Sequence, residues 1–368
     1  MSLIFDLYQK VLVDYKNNHL NNWDSFRFGP EPPPEKKTIK QRIKEILYGK
    51  EYLHIAEINH VKQLIESAFS STETELEKVY SLLADATSKS LYIELLAFRL
   101  LGHRKVLLST NNAERKKHEQ FVKSKIDYED CLNSNFNTKS LFKSTWKHYN
   151  QDVSVYLTER GLLNASFLKQ YECITDNGLI ITYESDDIIV DCGGCWGDTT
   201  IEFSNKTGVN GKVYVFEFVP FNLNILRKNL ALNPHFTANT EIIENPCWDL
   251  DDIPVYIVDE GPGSRVLFHK IPGAIKTQTK TIDSVIDEKN ICKVDFIKMD
   301  IEGAELNALK GARNTMSKFK PKLAISIYHS PADLYEIALW INGLNLGYKF
   351  WIRHFSIHAE ETVLFACV

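Results

Sequence analysis

From about residue 185 onwards, short runs of β-branched residues alternate with amphipathic segments along the chain. This alternation predicts a parallel sheet with helices on both faces. The last two runs are close enough in sequence to pair as an antiparallel hairpin. The predicted strands are 187–192, 212–218, 241–244, 294–300, 322–328, 348–353 and 362–367. The predicted fold class is therefore α/β, a Rossmann-like sheet of seven strands, mostly parallel, with an antiparallel last strand.

The first 150 residues have a mainly helical pattern. Thr72 and Glu75 have the spacing of a capping box, and apolar residues follow from Leu76 at helical intervals. A second helix is predicted over 88–101, where Gly102 supplies the stop. Both segments have one apolar face, which is typical of helices that pack into a core.

A proline-rich segment at 29–36 can be neither helix nor central strand. It predicts a stiff, extended linker that follows a separate arm, 1–28. We therefore predict two parts, a helical N-terminal region of 1–150 and a sheet domain of 151–368. A length of 368 residues agrees with more than one compact unit.

Composition narrows the class of protein. A formal net charge of −5 argues against broad binding to nucleic acid, which draws on a surplus of Lys and Arg. Seven scattered cysteines, an odd number, fit a reducing compartment. The first fifteen residues lack the pattern of a signal peptide, and no run approaches the ~18–20 apolar residues of a membrane span. The composition predicts a cytoplasmic protein with neither a transmembrane segment nor a nucleic-acid partner.

A glycine-rich turn follows the first predicted strand of the sheet. Gly193, Gly194 and Gly197 let the backbone approach a ligand closely, beside the amino terminus of a predicted helix. Trp196 lies within the turn, and Asp198 opens the helix. The turn predicts a site for a nucleotide-like ligand, and the alternative interpretation is a tight turn that binds nothing.

Two acidic residues stand at strand ends beside this turn. Asp191 could accept hydrogen bonds from loop amides or pair through water with the ammonium of a methionine moiety, and it suits a nearby sulfonium. Glu217 lies 20 residues past Gly197, where an acidic side chain reaches the two ribose hydroxyls of an adenosine. Since NAD and S-adenosylmethionine share that adenosine, Glu217 predicts an adenosine ligand but does not distinguish between these two cofactors.

Three more residues are candidates for binding the adenosine. Cys247 and Trp248 follow the third strand, where sheets of this kind hold the adenine, and Trp248 could stack on the base or fill the core. Asn222 lies near the start of the helix that Pro220 opens, and we expect it to approach the cofactor.

A second group of polar residues follows two later strands. Asp300 and Glu302 are expected to line the space where the methyl group would be transferred, because their strand ends beside the glycine turn. Glu305 could equally cap or pair on the following helix. His329 ends another strand. A histidine at such a strand end is more often catalytic than a histidine elsewhere in a chain, although a hydrogen-bonding role stays open.

Two features have an ordinary structural interpretation as well as a chemical one. Cys192 and Cys195 have the C-x-x-C spacing of redox and zinc sites, but no second pair exists and the strand and turn already account for them. Residues 101–125 carry seven Lys or Arg against two Glu. A solvated helix face explains this excess, and the alternative is an electropositive rim for an anionic acceptor such as a phosphorylated sugar.

Four motifs, in this order, resemble the FkbM family of S-adenosylmethionine-dependent methyltransferases: DCGGCWGDTT, VYVFEFVPFNLNILRKNLALNP, VDFIKMDIEGAELNALKGA and PKLAISIYHSPADL. The resemblance covers about 165–368. It implies a methyltransferase domain over 151–368 that uses S-adenosylmethionine. The acceptor that it implies is usually a hydroxyl of a sugar, glycolipid, polysaccharide or polyketide-like product.

The resemblance also extends to individual residues of the family's motifs. The family's glycine-loop pattern matches Asp191, Gly193 and Gly197, its ribose-binding acid matches Glu217, and its DIEGAE acid matches Asp300. Many members have a Glu and a His after the DIEGAE strand, whereas this chain has Ile-Tyr-His at that point, so the role of that Glu does not transfer. The helical N-terminal region lies outside the common core and is expected to set the choice of acceptor.

Methyl transfer from a sulfonium mainly requires that the acceptor be positioned, with a base to take its proton. We hypothesise that Asp300 or His329 is this base. A variant is a divalent metal, Mg²⁺ or Mn²⁺, held by Asp300, Glu302 and His329. Two alternatives differ in class: a nicotinamide-dependent oxidoreductase and a non-catalytic adenosine-binding scaffold in glycan assembly. The acceptor and the oligomeric state stay open.

Overall fold

The computed structural model describes residues 2–24, 30, 31, 33, 50–109, 112–133, 140–149 and 151–368. The chain divides into two compact units. One comprises Met1–Thr110 and Ser356–Glu360, and the other comprises Asn111–Phe355 and Glu361–Val368. Most of the predicted linker at 29–36 and the end of the predicted arm lie outside the described residues. Among the described helices, none is long and apolar enough to cross a membrane.

The first unit contains the helices α1 (Leu3–Asp14), α2 (Lys50–Phe69), α3 (Glu73–Leu82) and α4 (Ala86–Leu101). The helix predicted over 88–101 is confirmed as part of α4. Asp85 caps its start by accepting a hydrogen bond from the Ser88 amide, and Gly102 ends it with a φ of 78°. The capping box is wrong, because the side chain of Thr72, although at the N-cap of α3, makes no cap hydrogen bond.

The second unit begins with α5 (Asn112–Lys123) and an antiparallel sheet of β1 (Ile126–Asn133), β2 (Ser140–His148) and β3 (Gln151–Leu157). The sequence predicted a mainly helical region up to residue 150, so these strands differ from it. The alternation of buried Val153, Val155 and Leu157 with more polar neighbours is a strand pattern. The sheet of β1 to β3 spans the predicted boundary at 150, because β2 precedes it and β3 follows it.

The seven-stranded sheet is confirmed. In spatial order it consists of β14 (Lys349–His354), β15 (Thr362–Cys367), β13 (Lys322–Ser326), β12 (Phe296–Met299), β6 (Ile188–Cys192), β7 (Lys212–Phe216) and β8 (Thr240–Ile243). The strands β6, β7, β8, β12 and β13 are parallel, and β15 runs antiparallel between β13 and β14. The predicted hairpin is therefore confirmed as well.

The remaining elements cover or connect these sheets. The helices are α6 (Glu159–Leu162), continued by a π-helical turn (Leu163–Phe167), α7 (Asp198–Thr207), α8 (Pro220–Ala231), α9 (Pro234–Thr237), α10 (Ile282–Glu288), α11 (Glu305–Lys310), α12 (Arg313–Phe319) and α13 (Asp333–Gly343). The short strands are β4 (Cys173–Ile174), β5 (Ile180–Ile181), β9 (Pro254–Ile257), β10 (Val266–Leu267) and β11 (Ile275–Gln278). A 3₁₀ turn occupies Gly261–Gly263.

Several strands end one or two residues earlier than predicted. As a result, Glu217 follows β7 and Asp300 follows β12, each just outside the hydrogen-bonded ladder. Carboxyl ends of neighbouring parallel strands meet at one edge of a sheet, which is where such folds bind ligands. The register places Met299 beside Cys192, so that Asp300 begins its loop next to the glycine turn.

Candidate functional site

The glycine turn brings the backbone of β6 against the end of β12. Gly193 has a φ of 86°, and a Cβ built on it would lie 2.0 Å from the carbonyl oxygen of Asp300. At Gly194, an added Cβ would lie 2.1 Å from a methyl group of Val215. Gly197 has a φ of 90° and opens α7. The turn therefore needs glycine for close approach as well as for backbone conformation.

We expect Gly193→Ala to destabilise the protein more than Gly178→Ala does. Gly178 has a similar φ of 80°, but an added Cβ there would meet nothing within 4 Å. Each alanine pays about 1–2 kcal/mol for the left-handed backbone, and only the first also displaces the Asp300 loop. Thermal unfolding of both variants checks this, and equal losses of stability would show that the contact with Asp300 does not matter.

Asp191 lies in a buried ion pair. Its side chain is 0% exposed, its Oδ1 lies 3.0 Å from Lys298 Nζ, and its Oδ2 accepts hydrogen bonds from the hydroxyls of Thr199 and Thr200 at 2.9 and 2.7 Å. Burial favours the neutral amine of Lys298, but Asp191 and nearby carboxylates raise its pKa above the ordinary value. With its oxygens engaged in this way, Asp191 organises the turn, and it is not among the residues that line the cavity described below.

A cavity opens beside the turn at the carboxyl edge of the sheet. It encloses about 180 Å³ and opens to solvent at its mouth. Seven of the predicted site residues line it: Gly193, Glu217, Asn222, Cys247, Trp248, Asp300 and Glu302. The structure therefore brings together residues that are more than 100 positions apart in sequence.

Glu217 places a buried carboxylate on the wall of this cavity. Its Oε1 accepts hydrogen bonds from the amides of Phe218 and Val219 at 2.7 and 2.8 Å, and Asn222 approaches Oε2 at 3.4 Å. Burial raises the pKa of Glu217 to about 7, although these hydrogen bonds lower it. Asn222 Oδ1 is buried without a hydrogen-bond partner in the described chain. A carboxylate and an amide oxygen thus face the cavity with acceptor capacity to spare.

Aromatic side chains form another wall. The rings of Trp248 and Phe268 lie 5.2 Å apart, tilted by 56°, and both residues line the cavity. Gly311 permits the close approach that holds Trp248 in place, because a Cβ there would lie 2.0 Å from the Trp248 carbonyl oxygen. This wall could stack on a planar base, which was one of the two predicted roles for Trp248.

At the opposite side of the cavity, Asp300 is held by two tyrosines. Tyr171 donates to Oδ2 and Tyr328 donates to Oδ1, each at 3.0 Å. Burial, and then the charge of Asp300, raises the pKa of Tyr171 well above its usual range, so Tyr171 stays protonated and can donate. The two hydroxyls thus hold one carboxylate oxygen each and fix the orientation of the Asp300 side chain.

His329 lies behind Asp300 among three carboxylates. Its Nδ1 is 3.0 Å from Glu305, and its Nε2 is 3.4 Å from Asp300 and 3.7 Å from Glu302. Burial lowers the pKa of His329, but the three carboxylates outweigh it and raise the pKa to about 9. At neutral pH without another cation, the imidazole is protonated. The predicted role of His329 as general base therefore requires that the ring first lose this proton.

Residues 191–350 match the model of the methyltransferase FkbM domain. They belong to the FkbM methyltransferase family. The matched segment contains every residue predicted to bind the cofactor, from Asp191 to Asp300, and also Glu302 and His329. The family assignment made from the four motifs is thereby confirmed.

Two solved structures are similar to this chain at low sequence identity. The methyltransferase FkbM from Methylobacillus flagellatus KT is 20% identical, with a TM-score of 0.49 over 82% of this chain and 60% of its own. Aeropyrum pernix fibrillarin, in complex with natively bound S-adenosyl-L-methionine, is 14% identical, with a TM-score of 0.36 over 65% and 93%. This chain therefore spans 60% of the length of the first relative. No curated protein matches it.

Several predicted residues of the FkbM domain lie away from the cavity lining. Trp196 is buried in the core with Trp146 and Ile201, so its size serves packing. Asp198, whose pKa burial raises to about 6, lies at the start of α7, and Gly194 and Gly197 shape the turn from behind. These residues support the site and do not face the cavity.

The structure also locates the C-x-x-C spacing and the basic segment 101–125, the two features with alternative interpretations. Cys192 and Cys195 are free thiols, as are the other five cysteines, and Cys195 lines the cavity. No described residue of 101–125 lines the cavity. Within that segment, Arg115 donates a hydrogen bond to the Phe355 carbonyl and pairs with Glu119.

Sequence reasoning missed one part of the FkbM domain's cavity. The loop between β9 and β10 contributes Gly261, Pro262, Ser264 and Arg265, and Phe268 follows β10. Its glycines and proline, between two short strands, were the available signal for a loop, but nothing local placed that loop over the sheet. The pairing of Lys298 with Asp191 was also missed, although a lysine inside an apolar strand calls for a buried partner.

Proposed function

We propose that the protein is an S-adenosylmethionine-dependent methyltransferase that O-methylates a hydroxyl of a sugar, a glycolipid or a surface-polysaccharide precursor. The observation that carries the proposal is the buried carboxylate of Glu217 in a cavity between the glycine turn and the Trp248 wall. An adenosine fits these residues, since its ribose hydroxyls can donate to Glu217 and its base can stack on Trp248.

S-adenosylmethionine supplies an activated methyl group when it is bound. The chain's own contribution is to hold an acceptor hydroxyl beside that methyl group. Asp300 lines the cavity with its carboxylate fixed by Tyr171 and Tyr328. We assign to Asp300 the hydrogen bond from the acceptor hydroxyl and, in the absence of a metal, the acceptance of its proton. Exposed Arg265 at the rim could contact an anionic part of the acceptor.

The test is calorimetric titration of the full chain with S-adenosylhomocysteine and, separately, with NAD⁺. We expect binding of the former alone. Binding of NAD⁺ alone would instead favour the nicotinamide-dependent oxidoreductase. Binding of S-adenosylhomocysteine without transfer to any of a broad panel of hydroxyl acceptors would favour the adenosine-binding scaffold.

The affinity for S-adenosylhomocysteine should depend on pH through Glu217. Ribose hydroxyls donate to the ionised carboxylate, so binding favours ionisation and lowers the pKa from its value of about 7. Affinity is therefore full above pH 7 and falls by up to about tenfold per pH unit below it. Titrations between pH 8 and pH 5.5 measure this dependence.

The matched variant for this prediction is Glu217→Gln, which keeps the shape of the side chain but has no carboxyl proton. We expect about 10- to 100-fold weaker binding at pH 8, since hydrogen bonds to a charged group contribute about 1.5–3 kcal/mol. The difference in slope between the two proteins is the readout, because the amino group of the ligand titrates equally in both. Parallel slopes would rule out Glu217 as the source.

A further inference from the structure

His329, Asp300 and Glu305 form a compact cluster at the carboxyl ends of β12 and β13. One ligand atom from each residue lies within 4.8 Å of the other two. This is a different set from the predicted Asp300, Glu302 and His329. Glu302 approaches Nε2 of His329 only to 3.7 Å, from the side of the cavity.

Buried polar atoms in this cluster lack hydrogen-bond partners among the residues that the structure describes. Glu305 is 1% exposed, and its Oε1 accepts a hydrogen bond from the Ile301 amide at 2.8 Å, whereas its Oε2 has no hydrogen-bond partner within the described residues. Both ring nitrogens of His329 are buried and face carboxylates, but neither makes a hydrogen bond of good geometry there. Buried groups are rarely left in this state, and a bound ion is one physical reason for it.

The net charge of the cluster also favours a bound cation. Three carboxylates surround one imidazole, so even with a protonated ring the group retains two net negative charges. Buried Lys298 forms its ion pair with Asp191 and acts on Asp300 only through a longer-range charge interaction. Uncompensated charge is costly inside a protein, and a dication would offset it.

We propose that Asp300, Glu305 and His329 bind a divalent cation that prefers oxygen and nitrogen ligands, of the kind represented by Mn²⁺ and Mg²⁺. The inference rests on the proposed function and deepens it. Asp300 belongs to both the cluster and the cavity wall, and Glu302 lines the cavity 3.7 Å from His329 Nε2. A cation at this position lies next to the expected place of the acceptor hydroxyl.

The cation changes how the hydroxyl is activated. Coordination lowers the pKa of a bound hydroxyl, as it does for metal-bound water. During transfer, the bond from sulfur to the methyl carbon breaks, the bond from the acceptor oxygen to that carbon forms, and the hydroxyl proton leaves to solvent at the mouth of the cavity. Asp300 then serves as a ligand instead of accepting the proton. No oxidant or reductant is needed.

The experiment is titration of the full chain with Mn²⁺, followed by electron paramagnetic resonance. We expect one Mn²⁺ per chain, displaced by excess Mg²⁺, with at least tenfold weaker binding in Glu305→Gln and His329→Gln. The matched control is Glu184→Gln, whose side chain is 68% exposed and outside the cluster, and it should bind as the wild type does.

A second measurement does not depend on the variants folding. In the wild-type protein loaded with Mn²⁺, electron spin echo envelope modulation should reveal a ¹⁴N coupling from the imidazole. Absence of Mn²⁺ binding, or binding without that coupling, overturns the proposed site. Retained binding of S-adenosylhomocysteine in the same sample would then leave the proposed function intact, whereas loss of both would count against each.

Discussion

Replacing Lys298 with methionine should lower the free energy of unfolding by about 3–5 kcal/mol, the usual cost of breaking a buried ion pair. The ammonium lies 3.0 Å from Asp191 and also donates hydrogen bonds to the carbonyl oxygens of Cys192 and Gly193, at 3.2 and 2.6 Å. Lys298→Met fills similar space but leaves a buried carboxylate without its cation. Denaturant unfolding at pH 7 measures the loss.

The matched control is Lys293→Met. Lys293 pairs with Asp295 at a similar 2.9 Å, but its side chain is 53% exposed, so its loss should cost less than about 1 kcal/mol. Adding Asp191→Asn to Lys298→Met should recover part of the stability, because the uncompensated charge disappears. A double variant as unstable as the sum of the two single variants would contradict a direct pairing.

Asp300→Asn should lower the rate of methyl transfer by about 10²- to 10⁴-fold. Asparagine preserves the shape of the side chain but can neither accept the hydroxyl proton nor bind a cation as a carboxylate does. Transfer of a labelled methyl group from S-adenosylmethionine to a panel of sugar hydroxyls measures the rate. Titration with S-adenosylhomocysteine in parallel separates a loss of turnover from a loss of cofactor binding.

Asp287→Asn is the control for this variant, because Asp287 is an exposed acid on α10, away from the cavity lining. It should leave the rate unchanged. Tyr328→Phe removes one hydroxyl that orients Asp300 and should reduce the rate less than Asp300→Asn does. Near-normal turnover of Asp300→Asn with intact cofactor binding would end the assignment of Asp300 to the acceptor.

Periodicity and turn residues were enough to predict the seven-stranded sheet, because each strand is short and bounded by turn signals and most of the strands are largely buried. The hairpin of β14 and β15 could be predicted for the same reason. The strands β1 to β3 were not predicted, since the alternation in β2 and β3 lies in a segment with a helical pattern before it. The local sequence pattern alone did not separate these strands from the helical region that precedes them.

The sequence by itself determined the family, the order of the strands along the chain and the residues that gather at the carboxyl edge of the sheet. Glu217 and Asp300 could be located because each follows a strand of recognisable pattern. Only the tertiary structure decided what each carboxylate faces. The carboxylate of Asp191 pairs with Lys298, and the carboxylate of Glu305 pairs with His329. These pairings join residues on separate strands and loops, and their geometry depends on the register and burial of the folded sheet.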